Sequence, residues 1–129
     1  MADRIHHPAE PQGAVEEAFH VLAVGGGTLA PRPGEWCDNR QRRGPDGRPA
    51  AVLQFGLEGT GRFEDRHGRQ ELSGRGAGCC LLLPSPCRHG NLPGHSWRRV
   101  WLTLGGSLAI ALCERLIAQS GRVFRLPAA

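Results

Sequence analysis

The amino-acid sequence predicts a mainly β fold: an antiparallel barrel or sandwich of short strands with one C-terminal α-helix. Three observations carry this prediction. Stretches of four to eight residues with strand character recur at short, regular spacing between Phe19 and Leu104. Glycine and proline, 19 and 10 in 129 residues, punctuate them as turns require. One stretch of helical periodicity follows, and no internal repeat is present. The length suits one domain with one core.

Residues 1–18 are polar and carry Pro8 and Pro11, which reads as a flexible arm. Phe19 to Val24 is a first strand, stopped by Gly25, Gly26 and Gly27. Residues 31–49 form a long connection rich in Gly, Pro, Asp and Arg, with one edge strand near Trp36. Ala50 to Leu57 is a strand with Leu53, Phe55 and Leu57 on one face and Val52, Gln54 and Glu58 on the other. Gly59 and Gly61 bracket a tight hairpin, so that Gly61 to Arg66 returns. His67-Gly68 turns again and Arg69 to Leu72 pairs back. Cys79 to Leu83 is a wholly apolar, buried strand. Pro84 and Pro86 end it, because neither can donate a backbone hydrogen bond to a sheet.

His89 opens the next strand, and Trp97 to Leu104 is the last. A helix then covers the barrel, with Ser107 as N-cap, Leu108, Ala111, Leu112 and Leu116 at helical spacing, and Gly121 as C-cap. The expected divisions are an arm over 1–18, a barrel over 19–106, and a helix and tail over 107–129.

Composition excludes more than it identifies. The net charge of +4 arises from 16 basic residues that are all arginine. They are scattered, apart from Arg40, Arg42 and Arg43, and read as solvated surface rather than a nucleic-acid face. Cys37, Cys79, Cys80, Cys87 and Cys113 include no C-x-x-C and read as reduced, small apolar residues. No segment approaches the ~20 apolar residues of a membrane helix. The N-terminus lacks the apolar core of a secretion signal, so no membrane partner and a cytoplasmic location are expected. Cys87 beside Arg88 and His89 does not make a catalytic dyad, and Gly25 to Gly27 is a lone run without phosphate-loop spacing.

Gly78 to His89 carries the most specific pattern. Gly78, Pro84 and His89 match the second cupin motif: Gly, five residues, Pro, one residue, Gly, two residues, His. Pro86 replaces its second glycine. With residues 57–78 before it, Trp97 to Gly106 after it, the helical stretch and Gly121 to Pro127, the chain resembles the sensor domain of AraC-family bacterial transcription regulators. The resemblance spans about Phe19 to Pro127. It implies a cupin-like antiparallel β-barrel (a double-stranded β-helix, or jelly roll) that binds a small-molecule effector and forms a homodimer. It implies no enzymatic activity. DNA binding would belong to a C-terminal domain with two helix-turn-helix motifs, and residues 1–129 show no such pattern.

A metal-dependent cupin enzyme is the sharpest alternative. Its first motif supplies His-x-His and then Glu before the glycine hairpin. This chain has no His between His20 and His67, and counting back from Gly59 or Gly61 lands on Val52 or Gln54. No metal and no cofactor are therefore expected. A stand-alone, metal-free small-molecule-binding cupin is the other alternative.

For the ligand site, His89 either lines a pocket, where it can donate and accept hydrogen bonds, or is a structural turn histidine. Trp101 offers a stacking plane, and the resemblance favours it because W-L-T-L matches the family's inward-facing strand. Arg99 and Thr103 share its face. An inward cation needs a carboxylate or an anionic ligand. Asn91, Gln54 and Arg40 complete the expected ligand residues, Arg40 standing where the family often has an arginine. Alternation allows either Arg99 and Trp101 inside the barrel, or Val100, Leu102 and Leu104.

Overall fold

The computed structural model describes residues 4–8, 17–31, 34 and 36–127. Their elements in chain order are β1 (Arg4–His6), β2 (His20–Leu29), β3 (Trp36–Asp38), β4 (Ala50–Asp65), β5 (Gly68–Ser73), β6 (Ala77–Leu83), β7 (Arg88–Asn91), β8 (Trp97–Gly105), α1 (Ser107–Ser120) and β9 (Val123–Arg125). The fold is mainly β and antiparallel, with the helix near the C-terminal end, as the sequence predicts.

β4 holds two sheets together. Ala51 to Phe55 lie between β8 and β6, and Gly61 to Glu64 lie between β5 and β7. The first sheet runs β1-β2-β8-β4-β6-β9, and the second runs β5-β4-β7-β3. β3 is the edge strand expected near Trp36. Within the expected arm, Arg4 to His6 pair with Val24 to Gly26 of β2. Residues 1–3 and 9–16 of that arm lie outside the described residues.

The hairpin expected at Gly59 and Gly61 does not form. β4 runs on to Asp65, and the turn comes at Arg66-His67, where His67 N–H donates to Asp65 Oδ1 at 2.8 Å. The glycines make room for Trp97 instead. A Cβ on Gly61 would lie 2.5 Å from Trp97 Cε2, and one on Gly56 would lie 2.6 Å from its Nε1. Gly25 to Gly27 likewise do not stop β2, which continues to Leu29. A side chain at Gly25 would run into the Trp101 indole.

Two apolar layers result. Val52, Phe63, Leu72, Leu81, Leu83 and Trp97 fill the space between the sheets. Ala51, Cys80 and Leu104 pack against Ala109 and Cys113 of α1, with Leu53, Leu102 and Ile117 around them. The alternation of β8 is thereby resolved: Trp97, Arg99, Trp101 and Thr103 face inward, and Leu102 and Leu104 face the helix.

The helix differs from expectation at its face and its start. Leu108, Leu112 and Leu116 remain 50%, 47% and 49% exposed. The small side chains of Ala109 and Cys113 form the contact, because they let the helix sit close to the sheet. The N-cap is Gly106 at φ 97°, without a side-chain bond, rather than Ser107. A Cβ at Gly106 would collide with the Ala18 carbonyl. Gly121 caps the other end, its N–H donating to Ile117 O at 2.8 Å.

The outer face of the second sheet carries a cross-strand charge row, Asp38, Arg88, Glu64 and Arg69. Glu64 accepts from Arg69 and, at 2.8 Å, from Arg88, and these bonds hold its pKa below the usual carboxylate value. Arg62 and Arg88 stack on Trp36 at 3.6 and 4.2 Å.

Candidate ligand-binding cavity

A cavity of about 620 Å³ opens between the two sheets. β4 contributes Val52 and Gln54, and β8 contributes Arg99 and Trp101. Gln54 and Trp101 are directly paired across the strands. β7 supplies His89, paired with Cys37 of β3, and the loop after β3 supplies Arg42. The Arg99 guanidinium lies 4.9 Å from the Trp101 ring centroid. One wall is therefore an aromatic plane beside a cation.

His89 is 5% exposed. Asn39 Nδ2 donates to its Nδ1 at 3.0 Å. Arg42 Nη1 donates to Asn39 Oδ1 at 3.2 Å, which fixes the orientation of the amide. Nδ1 therefore carries the lone pair and Nε2 the proton. Burial, and then the charges of Arg42 and Arg99, push the His89 pKa down to about 3. The ring is a neutral N–H donor at physiological pH.

Asn39 also latches the turn after β6. Its N–H donates to Cys87 O at 3.0 Å, and its carbonyl accepts from Ser85 N–H at 2.9 Å. The prolines end β6, and Asn39 then directs His89 into the cavity.

Of the expected ligand residues, His89, Arg99, Trp101 and Gln54 come together here. Thr103 faces the same interior, opposite Val52, and is 4% exposed, but it does not line the cavity. Asn91 does not line it either. Its amide donates to Ala30 O at 2.6 Å and His95 O at 2.9 Å, holding the connection between β7 and β8. Arg40 lies outside the barrel, with its side chain 73% exposed and paired to Asp38 at 2.7 Å. Two positions along, Arg42 is the arginine that reaches the cavity, since Asp38 is near enough to hold Arg40 at the surface.

Sequence reasoning missed Arg42, Asn39, Cys37 and Trp36 because all four come from the 31–49 connection. The signal for Asn39 was indirect: a buried turn around two prolines needs backbone partners from elsewhere. Among the described residues, no group of three or more His, Cys, Asp or Glu is placed to hold a metal ion.

A family model described as the AraC-like ligand binding domain matches residues 29–128. The chain belongs to this family. The AraC-like domain is a regulatory sensor module with a cupin-like barrel, and the matched span includes every cavity-lining residue except Ile5. The crystal structure of the protein YhaK from Escherichia coli is similar, with a TM-score of 0.56 at 18% identity. The likeness covers 81% of this chain and 45% of that one, so this AraC-like chain spans less than half the length of YhaK. At that identity the likeness bears on the fold alone. No curated protein sequence matches the chain significantly. No helix among the described residues is long and apolar enough to cross a membrane.

Proposed function

We propose that this AraC-like domain binds one small, planar, polar effector in the barrel cavity and belongs to a cytoplasmic bacterial transcription regulator. A single observation carries the reading: an aromatic plane and buried hydrogen-bonding groups meet in one cavity of about 620 Å³. That volume suits one small molecule. Trp101 offers the stacking face. Gln54 offers a donor and an acceptor, and His89 offers a fixed N–H. Arg42 and Arg99 add guanidinium donors for an oxygen-rich edge.

The activity is binding, not catalysis. His89 is held neutral and is a weak base, and the position where a metal-dependent cupin has its carboxylate falls on Val52 or Gln54, neither of them a carboxylate. Contact with DNA belongs to a helix-turn-helix domain outside residues 1–129. The effector acts by favouring one arrangement of the regulator over another. A homodimer forms through α1, whose exposed Leu108, Leu112 and Leu116 recur every fourth residue.

A library of small planar polar compounds, read by thermal shift, tests the site. A true effector raises the melting temperature and quenches tryptophan emission. Its affinity falls at least tenfold in Trp101→Ala and in Gln54→Ala, while Arg40→Ala binds as the parent does. A hit that binds Trp101→Ala with unchanged affinity would sink the reading.

A further inference from the structure

Cys80 and Cys113 meet under the helix. Cys80 lies in the middle of β6 on the face turned to α1, and Cys113 lies in the middle of α1 on the face turned to the sheet. They are 2% and 3% exposed, and both are free thiols. The two thiols sit in one buried cluster beneath the helix and influence each other's ionisation. Their proximity lowers the Cys113 pKa and, together with burial, raises that of Cys80. The neighbouring Cys79 points the other way, into the barrel, where burial pushes its thiol up to about 12. A groove of about 350 Å³ beside Phe124, Leu126 and the end of α1 reaches Cys80 from outside.

We propose that Cys80 and Cys113 form a reversible dithiol–disulfide switch, closed by a small hydroperoxide, that ties α1 to β6. The Cys113 thiolate attacks the peroxide, an S–O bond forms as the O–O bond breaks, and hydroxide leaves. Cys80 then gives up its proton and attacks the Cys113 sulfenic sulfur. The S–S bond forms as the S–O bond breaks, and the departing hydroxide takes the proton to become water. Two thiols have given two electrons to one peroxide. A low-molecular-weight thiol reopens the bridge by exchange. The consequence is mechanical: the helix is free to shift on the sheet when reduced and is fixed when oxidised.

The native chain is treated with hydrogen peroxide, quenched with N-ethylmaleimide and digested with trypsin. The expected product is the peptide 76–88 joined to 100–115, with the bridge located at Cys80 and Cys113 by fragmentation. The intact chain loses two hydrogens, its melting temperature rises by several degrees, and dithiothreitol reverses both changes. Cys80→Ser and Cys113→Ser lose the bridge, while Cys79→Ala and Cys87→Ala keep it. Fragmentation of the wild-type peptide pair decides the matter even if a variant fails to fold. A bridge from Cys113 to Cys79 or Cys87, a bridge between Cys37 and Cys87 instead, or Cys113 driven to the sulfinic acid without any cross-link would each overturn the proposal.

Discussion

His89 is a titratable ring placed where it does not titrate in the physiological range. In the unfolded chain its pKa is near the ordinary 6.5, and in the fold it is about 3. The folded pKa is the lower one, so between these values the unfolded state binds the extra proton. Stability therefore falls as pH drops through 6.5, by about 1.4 kcal/mol per pH unit at most. Asp38 and Glu64 have lowered pKa values and add to acid loss only below the ordinary carboxylate range. The window from pH 6.5 to 4.5 isolates His89. Urea titrations across that window are expected to show a steeper loss in the parent chain than in His89→Gln, whose side chain has no proton to gain. Equal slopes would mean that the ring is charged in the fold. The motif exposed this residue in the sequence, but its neutrality was not legible. That property depends first on burial between the sheets and then on the charges of Arg42 and Arg99, and Arg42 is brought up from far along the chain by the pairing of β3 with β7.

Among the elements, β4 shows why glycine positions mislead. A glycine is needed where the chain turns, and equally where another side chain comes too close for a Cβ. The sequence does not distinguish the two uses. Gly59 and Gly61 suggested a hairpin, and Gly25 to Gly27 suggested a stop. The structure gives Gly61 and Gly56 to Trp97, and Gly25 to Trp101. Trp97 is fully buried and cannot withdraw. Gly61→Ala is accordingly expected to cost about 1–3 kcal/mol through overpacking. Gly26→Ala is the comparison, because its new carbon would meet nothing closer than 3.3 Å. Denaturant midpoints should fall clearly further for Gly61→Ala. If the two variants fall equally, the indole does not need that space.

At the scale of the whole molecule, the barrel and its closing helix were legible because alternation and turn chemistry are local signals. The side of the helix that packs was not. α1 carries one stripe of Leu108, Leu112 and Leu116 and another of Ala109, Cys113 and Ile117, and periodicity alone favours the larger side chains. The smaller ones win because they allow close approach to β6, which leaves the leucines outside. Three leucines near half exposure on successive turns form an apolar stripe that water does not favour. A second copy of the same helix offers a matching stripe, and a two-fold axis would set leucine against leucine. Leu112→Glu is the decisive substitution. Leu112 makes little of the fold's core, so the unfolding free energy of the barrel itself should stay within the usual range of about ±0.5 kcal/mol for surface positions. The dimer should be lost, because each interface would receive two like charges in an apolar setting. Sedimentation velocity is expected to show dimer for the parent chain and monomer for Leu112→Glu, with circular dichroism unchanged. A variant that stays dimeric would move the contact to another surface, and a variant that unfolds would show that the leucine stripe packs within the chain after all.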